Sequence, residues 1–296
     1  MWVISDGSPP LDLQDDRVRR ARTGLPLADP AGRPGLRLST VDTLRFLADR
    51  LRGRETILEI SPLGERPLRL AIAGRREIRR AHEVGLEAPL IGRIFEAMQP
   101  GDHIFDIGAN IGVLTLLMAR HGNDPDRRIT AFEPEPRNFA QLERNVELND
   151  LGACVTPHRM ALGASEGEAD LFIRGGPGEG RHSLTARSGS TGSIRVPVRT
   201  ASAFARTHDR WPDVVKIDVE GAEGQVLAGM ASLIEERRPR DIFLEIHAKG
   251  DEDRMPAVAA PGGGPAPTID EWLTGRGYER AWADPRGSGE HRHYRG

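Results

Sequence analysis

Two groups of residues in this 296-residue chain are of types and spacings that could do chemistry. The first is the run "VVKIDVEGAE", where Lys216 and Asp218 alternate onto one side of a strand-like segment and Glu220 follows at a turn. A strand inside a parallel sheet should be almost wholly apolar, and burying an unpaired charge is expensive. Such a cluster either pairs internally, Lys216 with Asp218 or with Glu245, and supports the fold, or it edges a place where a substrate reacts. The later run "LEIH" brings Glu245 and His247 toward the same rim. A histidine titrates near neutral pH, so His247 is the first candidate for a general base, with Asp218 or Glu220 next and Lys216 beside them. Asp218, Glu220, Glu245 and His247 could also hold a divalent ion, but their spacing matches no dedicated metal motif, and no metal is expected.

The second group lies in "FDIGANIGVLTLLMAR" and the segment that follows. Gly108 and Gly112 allow the chain to turn tightly and approach a ligand, and the helix expected after them presents free amide groups. A dinucleotide fingerprint wants glycines where this chain has Asn110 and Val113. Asp106, two residues before the first glycine, would oppose a pyrophosphate and welcome an ammonium group. Glu133 in "AFEPEP" ends the next strand, where a carboxylate can accept hydrogen bonds from both hydroxyls of a ribose. An ammonium and a ribose diol without a pyrophosphate are the features of S-adenosylmethionine.

These residues need a frame that holds strand ends side by side. From Asp102 onward strand and helix patterns alternate: "HIFDIG", "ANIGVLTLLMARHG", "RITAFEP", "PRNFAQLERNVELN" and "CVTPHRMAL", then "DVVKIDVEG", "AEGQVLAGMASLIEERR" and "DIFLEIH". Alternation of this kind predicts a parallel, doubly wound α/β sheet covered on both faces. "GEADLFIR" and "SIRVPVRT" interrupt it as extra antiparallel strands around a glycine- and serine-rich loop that contains Arg181, His182 and Ser183. Residues 1–38 read as a mobile leader and residues 39–101 as an N-terminal helix and strand extension that could cap the substrate. The extension starts with a helix capped by Ser39 or Thr40, with Val41, Leu44, Phe46, Leu47 and Leu51 on one face. Residues 102–296 form the ligand-binding domain, with a flexible insert at 255–267 before the helix "TIDEWLTGRG". Near the C-terminus "HRHYR" reads as an edge strand with alternating histidines rather than a metal site, and "RREIRRAHE" as a solvated helix edge.

Composition excludes several classes of function. Lysine and arginine (41) nearly balance aspartate and glutamate (44), so a net charge of −3 leaves no footprint for nucleic acid or an anionic membrane. The single cysteine, Cys154, rules out an internal disulfide framework and reads as a small buried hydrophobe. The opening "MWVISDGSPPLD" lacks the unbroken apolar core of a signal peptide, which leads to an expectation of a cytoplasmic protein.

"FDIGANIG", "AFEPEPRNFAQLERNVELN", "MALGASEGEADLF", "VVKIDVEGAEGQVLAGM" and "FLEIH" together resemble the FkbM family of S-adenosylmethionine-dependent methyltransferases over about Glu87 to His247. The resemblance implies a seven-stranded Rossmann-like methyltransferase sheet with an antiparallel last strand, and S-adenosylhomocysteine as product. It also implies O-methylation of a hydroxyl on a natural product or sugar. Carried over by motif, Asp106, Gly108, Asn110 and Gly112 line the methionine side, Glu133 takes the ribose, and Ala161 lies beside the adenine; the functional reading of the charged cluster sets Asp218 and Glu220 at the rim, beside the transferred methyl group. Many members resemble "vrtLDdl" where this chain has "VRTASAF", with Ala201 and Ser202 in place of leucine and aspartate. If that aspartate caps a helix, Ser202 can substitute. The expected partner is a small-molecule or glycoside acceptor, with no nucleic acid and no membrane, and a homodimer is admitted. The rival functions are methylation of a nitrogen or carboxylate, perhaps on a peptide, and a cofactor-binding scaffold without catalysis.

Overall fold

The computed structural model describes residues 46–49, 51–52, 55–60, 67–74, 77–78, 81, 84–174, 190–236, 239–247, 253–257, 265–287 and 289–296. The leader at 1–38, the capping residues Ser39 and Thr40, and the loop with Arg181, His182 and Ser183 lie outside the described residues. Residues 46–49 are helical, with Phe46 buried but Leu47 and Leu51 exposed, so the expected apolar face of that helix is only partly covered. Strands β1 (Thr56–Ile60) and β2 (Leu68–Ile72) pair antiparallel. Helix α1 (Ala88–Ala97) buries Leu90, Ile91 and Ile94 and stops at Met98, just before Pro100 and Gly101.

The alternating half then builds β3 (His103–Ile107), α2 (Val113–Arg120), β4 (Arg128–Phe132), α3 (Pro136–Leu148) and β5 (Val155–His158). An inserted sheet follows, made of β6 (Ala161–Leu162), β7 (Gly167–Arg174) and β8 (Ser190–Arg199). β7 and β8 form the expected antiparallel pair, and β6 joins β8 in parallel. "CVTPHRMAL" is therefore not one strand: the chain leaves the main sheet after His158 and enters the small one at Ala161. Pro157, which cannot donate to a ladder, sits on the edge strand β5, where that deficit is tolerated.

Helix α4 (Ala201–His208), β9 (Val214–Ile217), α5 (Glu223–Gly229), α6 (Ala231–Glu236), β10 (Asp241–Ile246), α7 (Ile269–Thr274), β11 (Glu279–Arg286) and β12 (Gly289–Arg295) complete the fold. The seven-stranded sheet runs β11-β12-β10-β9-β3-β4-β5. β10, β9, β3, β4 and β5 are parallel, and β12 is antiparallel to both of its neighbours. "HRHYR" is thus not an edge. It occupies the interior strand β12, where His291, Arg292, His293 and Tyr294 are buried, and the His293 imidazole meets the Asp241 carboxylate at 2.8 Å.

The sheet divides two hydrophobic cores, as strand alternation requires. Ile104, Ile129, Val214 and Phe243 face β2, α1, α2 and α3. Phe105, Phe132, Val215, Ile242 and Leu244 face α4, α5, α6 and α7. Cys154 is half-buried against the first core, in keeping with its reading as a small hydrophobe.

The run "AEGQVLAGMASLIEERR", expected as one helix, is broken between α5 and α6, and Ser202 is the reason. Its buried hydroxyl donates to the Gly229 carbonyl at 2.8 Å and accepts from the Leu233 amide at 3.0 Å. Those two groups would otherwise bond each other within a continuous helix, so the hydroxyl is inserted into the ladder. Ser202 is not the cap of α4. Thr200 is, accepting from the Ala203 amide at 3.1 Å.

Candidate functional site

The chain winds from β3 outward through β4 to β5, then returns to place β9 on the other side of β3. That reversal opens a crevice at the carboxyl ends of β3 and β9, the usual ligand position in such sheets. A cleft lies there, and its walls include Gly108, Asn110, Glu133, Pro134, Met160, Ala161, Asp218 and Glu220. None of its wall residues comes from the described part of 39–101.

The turn after β3 is fixed by backbone. The Gly108 and Ala109 amides both donate to the Phe132 carbonyl at 3.0 Å, and the Asp218 amide donates to the Ile107 carbonyl at 3.0 Å. Gly108 has φ +84°, and a Cβ there would lie 1.9 Å from the Asp218 carbonyl oxygen. Only glycine lets this turn lie against the end of β9. Gly112, at φ +87°, opens α2, and a Cβ there would strike Leu142 of α3 at 2.4 Å. Gly112 therefore seats the helix rather than lining the cleft. Asn110 adopts φ +54°, its amide donates to Glu133 Oε2 at 2.8 Å, and its own Oδ1 accepts from the Ile111 amide at 2.8 Å. Glu133 Oε1 accepts from the Glu135 amide at 3.0 Å. A carboxylate that is 5% exposed thus stands on the cleft wall in a fixed orientation.

Asp106 is placed differently from the expectation of a carboxylate waiting for an ammonium group. It is fully buried behind the turn, accepting from the Thr115 hydroxyl at 2.6 Å and facing Lys216 Nζ at 3.3 Å. The two lie opposite each other in the β3–β9 register and point into the α2 side of the sheet. Lys216 also contacts the Gly108 carbonyl at 3.3 Å and Asp218 at 3.4 Å. Burial alone would lower its pKa, but Asp106, Asp218, Glu87 and Glu245 outweigh that and raise it. Lys216 therefore stays an ammonium that ties both strand ends together, and it has no lone pair to act as a base. The internal pairing foreseen for Lys216 is present, with Asp106 added to it.

His247, beyond the end of β10, sits behind Asp218 and Glu220. Its Nε2 lies 3.5 Å from Asp218, 3.5 Å from Glu220 and 3.4 Å from Glu245, while Nδ1 meets the buried Glu223 at 3.2 Å. Burial pulls its pKa down, but the Glu223 hydrogen bond and the charges of Asp218, Glu220 and Glu245 prevail, pushing it up to about 10. The expectation of a neutral imidazole base is corrected: four surrounding carboxylates keep His247 protonated at neutral pH. Asp218, Glu245 and His247 also bring one donor atom each within 4.8 Å of one another, a spacing a divalent cation could bridge.

Asp218 and Glu220 reach the cleft directly, and Glu220 holds φ +54°, a conformation that is costly for a non-glycine residue and common at functional sites. Two participants were not singled out by type and spacing. Glu223 is hidden in "VEGAE" at the first turn of α5, and its oxygen also accepts from the Gly221 amide at 2.9 Å. Asn138 lines the cleft from α3. The signal for Asn138 was present, since Asn138, Leu142, Asn145 and Asn149 recur at helical spacing along the buried face of "PRNFAQLERNVELN".

The model of the methyltransferase FkbM domain matches residues 106–280, more than half of the chain. The chain belongs to the FkbM methyltransferase domain family. Among similar proteins, the hexuronic acid methyltransferase AglP of Haloferax volcanii is 27% identical over 184 residues, which cover 62% of this chain and 72% of that protein. The 31-O-demethyl-FK506 methyltransferase FkbM of Streptomyces tacrolimicus is 29% identical over 177 residues, 51% of this chain and 67% of that one. Methyltransferase 1 of Beauveria bassiana is 32% identical over 146 residues, covering 43% of this chain and 57% of that protein. A crystal structure of methyltransferase FkbM from Methylobacillus flagellatus KT aligns with a TM-score of 0.43 at 16% identity, over 76% of this chain and 56% of that one. The FkbM domain match contains every candidate site residue named above, from Asp106 to His247. No helix among the described residues is long and apolar enough to cross a membrane.

Proposed function

We propose that this protein transfers the methyl group of S-adenosylmethionine to a hydroxyl oxygen of a small-molecule or glycoside acceptor. The observation that carries the proposal is Glu133, a buried carboxylate fixed by the Asn110 and Glu135 amides in the wall of the same cleft that Asp218 and Glu220 line. The residues fit the cofactor: a carboxylate suits a ribose diol, and apolar Met160, Ala161 and Leu162 suit a base. Glycine turn and strand ends leave no arrangement for a pyrophosphate, because Asn110 replaces the central glycine and its amide is already engaged by Glu133. Two relatives, the hexuronic acid methyltransferase AglP and the 31-O-demethyl-FK506 methyltransferase FkbM, support a hydroxyl-bearing acceptor.

When bound, S-adenosylmethionine supplies an electrophilic methyl group on a sulfonium centre. The protein's own part is to orient an acceptor hydroxyl at the Asp218 and Glu220 end of the cleft and to take up its proton as the new bond forms. A carboxylate of Asp218 or Glu220 accepts that proton. His247 holds both carboxylates in place as an imidazolium and is a positioning residue.

Calorimetric titration with S-adenosylmethionine, S-adenosylhomocysteine and NAD separates this proposal from its rivals. Binding of the first two and not of NAD is expected, and binding of NAD alone would sink it. With a hydroxyl acceptor in hand, Asp218→Asn and Glu220→Gln should lower kcat far more than cofactor affinity. Full turnover in the double variant would remove the carboxylates from the chemistry.

A further inference from the structure

One polar group on the cleft wall is left without any partner. Asn138 is the third residue of α3; its backbone amide donates to the capping Glu135 carboxylate at 2.7 Å, which fixes where the side chain starts. The residue is 2% exposed, it lines the cleft, and its Nδ2 makes no hydrogen bond. Two other buried asparagines, Asn145 of α3 and Asn149 just past its end, contrast with it. Asn145 Nδ2 donates to the Ile111 carbonyl at 2.8 Å, and Asn149 Nδ2 donates to the Arg69 and Asn145 carbonyls at 2.7 Å. Buried amide donors are nearly always satisfied, so an orphan on a residue that lines a ligand cleft marks a bond that the ligand completes.

The surroundings narrow the ligand group. Besides Asn138 the wall includes Met160, Ala161, Leu162 and Leu171, the last contributed by the inserted strand β7. These are apolar, whereas the charged groups of the cleft have protein partners: Glu133 bonds the Asn110 and Glu135 amides, and Asp218 and Glu220 flank His247. Apolar side chains together with a buried neutral amide donor fit a flat heteroaromatic ring that carries an acceptor nitrogen. A ribose hydroxyl has Glu133 for a partner, and a neutral amide donor among apolar side chains offers a ligand carboxylate or ammonium no opposite charge of its own.

We propose that Asn138 Nδ2 donates a hydrogen bond to a ring nitrogen of the cofactor's adenine, making Asn138 the side chain that reads the base. The assignment rests on S-adenosylmethionine being the cofactor. It gives the inserted sheet a function, because β6 and β7 close the slot against which the base is held.

The test is a calorimetric double-variant cycle with S-adenosylhomocysteine and its 1-deaza, 3-deaza and 7-deaza adenine analogues, on wild type and Asn138→Leu. Leucine keeps the volume and removes the orphan donor, so the melting temperature of the ligand-free variant is expected to hold or rise. Affinity for S-adenosylhomocysteine should fall about tenfold or more. One deaza analogue should lose a similar factor on wild type and lose nothing further on the variant. Equal affinity of variant and wild type would overturn the proposal. So would penalties that are the same on both proteins for every analogue, or a lowered melting temperature, which would mark Asn138 as structural. If Asn138→Leu does not fold, undiminished wild-type binding of all three analogues overturns it. Wild type that binds no S-adenosylhomocysteine refutes the cofactor itself, and that result is distinct from all the others.

Discussion

At the scale of single residues, the site is governed by how charges are satisfied. Glu133 bonds two backbone amides, and in the proposed complex it also meets the ribose. Glu133→Ala should therefore weaken S-adenosylhomocysteine binding by about 1.5–3 kcal/mol for each charge-assisted bond lost. Calorimetry reads this directly, and an unchanged Kd would take Glu133 out of the site. His247 makes a pH-dependent contribution to stability. Its folded pKa is raised from 6.5 to about 10, so its stabilisation is fully present below the unfolded value and is lost as pH rises through the folded one. The stability difference between wild type and His247→Gln in urea should be widest near pH 6 and close toward pH 10. A gap that stays constant over that range would mean the four carboxylates do not hold a proton on the imidazole.

Among elements, the decisive contacts are the ones that stop regular structure. The Ser202 hydroxyl sits between the Gly229 carbonyl and the Leu233 amide and separates α5 from α6. Ser202→Ala leaves both groups buried without that partner, and a loss of about 1–3 kcal/mol is expected in denaturant unfolding. A loss below about 0.5 kcal/mol, the level of an ordinary surface change, would show that α5 and α6 rejoin into one helix. Ser202 thus answers the question raised by the missing aspartate: in this chain the position joins α4 to the α5–α6 break and lies away from the cleft wall.

Across the whole molecule, the N-terminal hairpin and the glycine turn are coupled through α3. Asn145 Oδ1 accepts from the Ala71 amide of β2 at 2.8 Å, and its Nδ2 donates to the Ile111 carbonyl at 2.8 Å, inside the "GANIG" turn. Asn145 is fully buried. Replacing it with leucine strands both backbone groups, and about 2 kcal/mol or more of stability should go. Because one of them belongs to the turn that carries Asn110, cofactor affinity should fall in the same variant. Lost stability with unchanged affinity would show that the hairpin is held independently of the site.

The sequence alone determined the frame: strand and helix periods with glycine stops specify a doubly wound sheet, and local pattern is what sets those periods. It also placed Gly108, Asn110, Glu133, Ala161, Asp218 and Glu220 at strand ends, where the cleft indeed lies. What it could not decide were the states that depend on neighbours distant in the chain. Asp106 and Lys216 became partners because β3 and β9, 110 residues apart at Asp106 and Lys216, lie in register. His247 became an imidazolium because Glu223 and three other carboxylates converge from β9, β10 and α5 and the turns beyond them. "HRHYR" became interior because β12 inserts between β10 and β11. Charge state and burial are sums over surroundings that tertiary packing assembles, whereas periodicity is written residue by residue along the chain.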